Sequence, residues 1–132
     1  ANIEIAYLLQ KMEQFDGLAI LATNLKQNLD EAFMRRLTFT VNFPFPGEAE
    51  RLRLWETLWP LRAPRAADVD LAWFAHEFRL SGGNIRNTVL AAAHLAAADG
   101  QVVTHEHLMH ATRREYQKLG KNLALPSGEH RA

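Results

Sequence analysis

The chain has no cysteine in its 132 residues. Disulfide frameworks and thiolate metal sites are therefore excluded, and a reducing compartment fits that composition. It has no net charge, because 15 Lys and Arg balance 15 Asp and Glu. A general nucleic-acid binder carries a basic excess, so nucleic acid is not an expected partner. No apolar run approaches the roughly 20 residues of a spanning helix. The opening "ANIEIAY", 1–7, has no basic stretch of the kind that starts a secretory leader. A cytoplasmic location without a membrane partner is the expectation. There is no G-x-x-x-x-G-K-[ST] phosphate loop, and no Asp-Glu pair closes an apolar strand. No Ser-His-Asp or paired-carboxylate arrangement stands out. "THEHLMH", 104–110, offers His105, His107 and His110 at offsets that miss the i, i+4 pair of helical zinc sites. No metal site is expected there.

What is present is patterned. Ile5, Leu8, Leu9, Met12 and Phe15 recur at helical spacing and predict a helix over 3–14. "FDG", 15–17, is a turn signal. "LAILAT", 18–23, is continuously apolar, as is a strand covered on both faces of a parallel sheet. Asn28 with Glu31 resembles a capping box and predicts a short helix over 29–36. "TFTVNF", 38–43, alternates, with Phe39, Val41 and Phe43 on one face, and predicts a second strand. "PFPG", 44–47, ends it, since proline cannot donate in a ladder.

Four helices are predicted after that break. Leu52, Trp55, Leu58 and Trp59 form one apolar stripe, ended by Pro60. Leu71, Phe74, Ala75 and Phe78 form a second at i, i+3, i+4, i+7. Ser81 is the expected N-cap of a third helix, stopped by Asp99-Gly100. Thr104 is the expected cap of a fourth, with Leu108, Ala111 and Leu119 inward and Gly120 as its stop. The expected fold is thus mainly α: a four-helix bundle preceded by a partial α/β segment of helix, strand, short helix and strand. The expected organisation is 1–46 as the α/β piece, 47–120 as the helical subdomain and 121–132 as a flexible tail.

Three short constellations can carry chemistry. Asn24 stands just past a predicted strand end, where open parallel sheets bind ligands, and its amide can donate to a phosphate and orient a water. The plainer account is a residue that turns the chain. Arg35 and Arg36 close the short helix; they are either a solvated helix end complementing the dipole or guanidinium groups presented to a phosphate. "SGGNIRN", 81–87, puts Gly82 and Gly83 at a helix start, with Asn84 and Arg86 following. That start suits an anion, and the plainer account is an ordinary N-cap.

The order of these pieces is more specific than any one of them. "ILATN", then "LDEAFMRRLTFTVNFPFP", then "LSGGNIRNTVLAAA" resembles the second half of an AAA+ ATPase module, over about residues 3–119. The likeness is closest to the AAA branch and its bacterial relatives. It implies that the α/β piece belongs to a P-loop NTPase core and that the four helices are the family's lid. It implies that Asn24 is sensor 1, contacting the γ-phosphate or the attacking water. The family's "LDxAxxRR" fingers map onto Arg35 and Arg36, which would reach the ATP of an adjacent subunit. The Pro-Gly that often separates the two is absent here, so both stay candidates. "SGGN" takes the place of the lid motif near adenine and ribose, and Arg86 that of a sensor 2 arginine. The motifs that cradle phosphate and hold Mg²⁺ lie upstream in the family. The resemblance therefore implies a C-terminal piece of an ATPase, with ATP and Mg²⁺ as cofactors of the whole protein and none bound tightly to this part. The implied partners are other copies in a ring, usually a hexamer, and a protein substrate to be remodelled. Two other classes stay open: a non-catalytic adaptor derived from such a lid, and a DNA-associated module.

Overall fold

The computed structural model describes residues 2–24 and 29–120. The chain divides into two compact units between Phe43 and Pro44, and each is described by itself. Six helices form among the described residues: α1 Asn2–Gln14, α2 Glu31–Arg35, α3 Glu48–Thr57, α4 Leu71–Glu77, α5 Gly82–Ala98 and α6 His105–Lys118.

The first unit holds α1 and α2. Leu9 and Phe33 are its buried apolar side chains among the described residues. The cap of α2 is Asp30, whose carboxylate accepts from the Phe33 N–H at 2.7 Å. Asp30 thus does the work expected of Asn28, which lies outside the described residues. The two expected strands are a correction. Neither 18–23 nor 38–43 forms a strand. Their apolar residues face solvent, with Leu18 and Ile20 both 84 % exposed and Phe39 87 %. The reason is that a helix closes its own hydrogen bonds, whereas a strand exists only when another strand pairs with it. The sequence pattern is that of strands, and the described residues supply no partner.

The second unit is a bundle of α3 to α6 around one core. Trp55 of α3, Phe74 and Phe78 at α4, Ile85 and Val89 of α5 and Leu108 of α6 are fully or almost fully buried in it. Trp55 lies against Phe74 with ring centroids 5.6 Å apart, and Phe78 against Tyr116 at 5.9 Å. The caps follow the local sequence. Ser81 and Thr104 each accept from the backbone N–H three residues on. Gly100 at φ +74° and Gly120 at φ +68° take the left-handed conformation past the ends of α5 and α6, which glycine adopts without a Cβ clash. One expected inward residue, Leu119, is instead exposed beyond the end of α6. Thr112 and Tyr116, one turn apart, are buried on that stripe.

Two connections fix how the bundle closes. The loop after α3 pairs with the turn before α6 in a single parallel bridge, Arg65 to Val103. In it Val103 N donates to Pro64 O at 2.8 Å and Ala66 N to Val103 O at 2.9 Å. The second connection is a buried cation. Arg51 of α3 is only 5 % exposed. Its Nε donates to the Ala75 carbonyl at 2.8 Å and its guanidinium also to the Pro46 carbonyl at 2.9 Å. Ala75 lies in the last turn of α4, where carbonyls lack helix partners and the dipole favours a cation.

Candidate functional site

The start of α5 is the best-formed candidate. Its chain enters through Ser81, in extended conformation at ψ 166°. The Ser81 Oγ accepts from Asn84 N at 3.2 Å, and Asn84 Oδ1 accepts from Ser81 N at 3.2 Å. The Ser81 hydroxyl also donates to Asn84 Oδ1 at 2.6 Å. This reciprocal box satisfies donors that a helix start otherwise leaves open. The other end of the Asn84 carboxamide donates to Glu115 Oε1 on α6 at 3.0 Å. Asn84 is therefore committed on both ends of its amide. Its carboxamide shapes the turn that opens α5.

Gly82 and Gly83 follow the cap. Neither is among the described residues with positive φ. A Cβ on Gly82 would meet the Leu54 methyls at 3.6 and 3.7 Å, and one on Gly83 only Ser81 Oγ at 3.9 Å. Those are ordinary contacts, so nothing in the described residues demands glycine at either position. Glycine costs roughly 0.5–1 kcal/mol against alanine in the middle of a helix, and less at its first two positions, where Gly82 and Gly83 stand. The pair leaves bare backbone at a helix start where N–H groups point outward. Arg86, exposed one turn further on, makes no ion pair or hydrogen bond among the described residues. The turn thus combines open backbone amides with an uncommitted guanidinium, a set of donors suited to phosphate oxygens.

Glu115 underlies this turn. Its side chain is 6 % exposed. Oε1 accepts from Asn84 and, at 3.2 Å, from Asn87, and Oε2 pairs with Lys118 Nζ at 3.1 Å. Burial pushes the carboxyl up, but the bonds from Asn84, Asn87 and Lys118, with the Lys118 charge, outweigh it. The net result lies below the usual carboxylate value. Beside it, burial pushes the Tyr116 hydroxyl above its usual value.

The first unit carries the other candidates. Asn24 is exposed at a bend that follows the apolar run 18–23. Arg35 pairs with Glu31 at 2.7 Å, four residues back on α2. Arg36 pairs with Glu13 of α1 at 3.0 Å. All four side chains are at least half exposed, and such pairs are weak. Either guanidinium can exchange its carboxylate for a phosphate, a stronger bidentate partner. Arg35 and Arg36 stand together at the end of α2. Gly82, Gly83, Asn84 and Arg86 stand together at the start of α5.

No protein-family model matches the chain, and no curated protein matches it significantly.

Two other features offer less. A shallow hollow of about 360 Å³ is lined by Glu48, Ala49, Leu52, Ala72 and Ala75. It presents one carboxylate and no cationic or amide side chain, so it has no means of holding a phosphate. His107 is a structural cap: Nδ1 accepts from Thr104 N at 3.1 Å, which leaves Nε2–H to meet Asp99 at 3.1 Å. Among the described residues no group of three or more His, Asp or Glu is placed to hold a metal.

Sequence reasoning missed Glu115, Asn87 and Arg51. A signal for the first was available. Leu108, Ala111, Thr112 and Glu115 fall at i, i+3, i+4 and i+7, so Glu115 occupies a core position of α6. Arg51 likewise sits one turn before Trp55 on the inward stripe of α3.

Proposed function

We propose that this chain is the C-terminal part of an AAA+ ATPase module, contributing sensor 1, the arginine finger and the lid to an ATP-driven machine that remodels a protein or an assembly. In this reading Asn24 contacts the γ-phosphate or the attacking water. Arg35 or Arg36 reaches the ATP of the neighbouring copy in a ring, hexameric in the usual case. Such a trans-acting arginine requires a heterologous, closing interface. Gly82, Gly83 and Asn84 form the turn near the base and ribose, and Arg86 meets the phosphates in cis. ATP and Mg²⁺ are held by a phosphate-loop half.

One observation carries the reading. A helical bundle begins a helix on Gly82-Gly83 with no steric need for either glycine in the described residues, and one turn later presents an uncommitted Arg86. It stands in the motif order that the resemblance requires. The chemistry asked of the finger is electrostatic: a guanidinium placed against charge that develops in phosphoryl transfer, worth roughly a thousandfold or more in rate.

The chain by itself is expected to hydrolyse no ATP. The test uses the chain extended on its N-terminal side through a phosphate-loop half, with turnover followed against protein concentration. Specific activity that rises with concentration, and is abolished by Arg35→Ala or Arg36→Ala while ATP still binds, is the expected result. Turnover that is absent, or indifferent to both changes, refutes the motor.

A second reading, a non-catalytic adaptor, is favoured by one observation: the solvent-facing apolar side chains of 18–23 and 38–43. It moves ahead if the motor test fails.

A further inference from the structure

We infer that the corner joining α5 to α6 is a pH-sensitive latch worked by the His107 imidazole: the neutral ring closes the corner, and the protonated ring opens it. The inference does not depend on the AAA+ reading.

The ring is held at both nitrogens, and its side chain is 12 % exposed. Nδ1 accepts from Thr104 N at 3.1 Å, and Nε2 meets Asp99 Oδ2, at the end of α5, at 3.1 Å. Thr104 Oγ1 accepts from His107 N at 3.3 Å and stands 3.1 Å from Nδ1. His107 thus fills the third position of a capping box, which Glu or Gln usually holds. Those two residues keep an acceptor throughout roughly pH 5 to 8, whereas in imidazole the accepting nitrogen is the one that takes the proton.

Protonation has three consequences, and two oppose the closed corner. Nδ1 becomes a donor facing the Thr104 N–H, so that N–H loses its acceptor. The new charge stands in the first turn of α6, at the positive end of the helix dipole. Against these, Nε2–H gains an ion pair with Asp99, but that carboxylate is 84 % exposed and exposed pairs are weak. The turn also has strain to release. Gln101 is held at φ +68°, a left-handed conformation that disfavours a residue with a Cβ. Val103, next to Thr104, donates to Pro64 O and accepts from Ala66 N, so loosening Thr104 loosens the hold on the loop after α3.

Other charged and titratable groups border the corner. Asp68, in the loop before α4, accepts from His105 N at 3.3 Å. His105, Glu106 and His110 share the first turns of α6 with His107. Arg65, across the bridge from Val103, has its guanidinium over the Trp59 ring. All of these are retained when His107 alone is replaced, so their titration is common to the proteins compared.

The experiment follows amide hydrogen exchange at Val103 and Thr104 in the full chain, corrected for the intrinsic pH dependence of exchange, beside the ring resonances of His107. Protection at both amides is expected to fall about fivefold from roughly pH 7.5 to roughly pH 5.5, the worth of a lost cap. Its midpoint should track the His107 ring. His107→Gln keeps the box with an acceptor that takes no proton, so its protection should stay flat over that window. An equal fall in both proteins assigns the change to the neighbouring groups and overturns the latch. Flat protection in the unaltered chain overturns it too. Should His107→Gln fail to fold, the unaltered chain decides alone: coincident midpoints of amides and ring support the latch, and separate ones overturn it.

Discussion

Arg51 sets two physical effects against each other, and its replacement tells which wins. The guanidinium is 5 % exposed and has no carboxylate partner among the described residues; its bonds go to the carbonyls of Ala75 and Pro46. Charged hydrogen bonds contribute about 1.5–3 kcal/mol each. Taking a cation out of water costs several kcal/mol, and an apolar replacement recovers that cost. The Ala75 bond is buried, whereas the Pro46 bond is only partly so, and water can replace the second donor but not the first. Arg51→Met keeps most of the side-chain volume and leaves the Ala75 carbonyl without a donor at the end of α4. We expect a net loss of about 2 kcal/mol. In a unit of this size that lowers Tm by about 8–16 °C. Arg51→Lys should lose about half as much, because an ammonium is a single point of donors and cannot span two carbonyls as a fork does. The assay is thermal unfolding followed by circular dichroism at the helical band, with a urea series as a check on the slope. An Arg51→Met protein as stable as the original, or more so, would show that desolvation dominates and that Arg51 does not clamp α3 to α4.

Gly82→Ala and Gly83→Ala should leave the bundle as stable as before, or raise its stability by up to about 1 kcal/mol in urea unfolding. A loss of stability in urea would mean that the fold itself needs these glycines. Glu115 sits below its ordinary value near 4.5 in the folded chain. Its stabilisation is therefore fully present above that value and is lost as pH falls through the folded one. Acid unfolding of Glu115→Gln should show a shallower dependence in that window, and an unchanged curve would contradict the hydrogen-bond assignment. The solvent-facing run 38–43 should drive association between chains, because unpaired extended segments are templates for pairing. Light scattering should show mass rising with concentration and falling in Val41→Lys, and a strict monomer at all concentrations would count against it.

The helices were legible because their causes are local. The Leu71, Phe74, Ala75, Phe78 stripe needs only 3.6-residue periodicity, and all four side chains lie in or at the end of a seven-residue helix that Asp70 caps through the Trp73 N–H. Ser81 and Thr104 were readable as caps for the same reason. The segments 18–23 and 38–43 were legible as pattern but not as structure, since a strand is a property of two segments and among the described residues neither pairs with another. Asp30 displaced Asn28 as a cap because the carboxylate three residues before Phe33 reaches its N–H directly. Glu115 and Arg51 were legible as core positions from their spacing, but not in what they bind. A charged residue on an apolar stripe reads as an interruption, and only the facing element shows that two carboxamides or two carbonyls wait for it.

The same contrast separates what the bundle needs from what it does not. Ser81 is required for its cap, Asn84 for its two bonds, and Trp55, Phe74 and Leu108 for the core. Gly100 and Gly120 are required by positive φ. Gly82, Gly83 and Arg86 stand outside that set, close together on one capped turn. Chance exposes many single residues in this way, and a lone arginine would say little. Two glycines are different, because Ala would be accommodated at both positions at ordinary contact distances. Without a Cβ the backbone there is open to close approach by another group. An anion fits better than an apolar group, since the exposed groups there are N–H donors at the positive end of the α5 dipole, with Arg86 beside them. On the proposed AAA+ reading that group is a nucleotide phosphate, and turnover by the N-terminally extended chain carrying Arg86→Ala is the measurement that tests it.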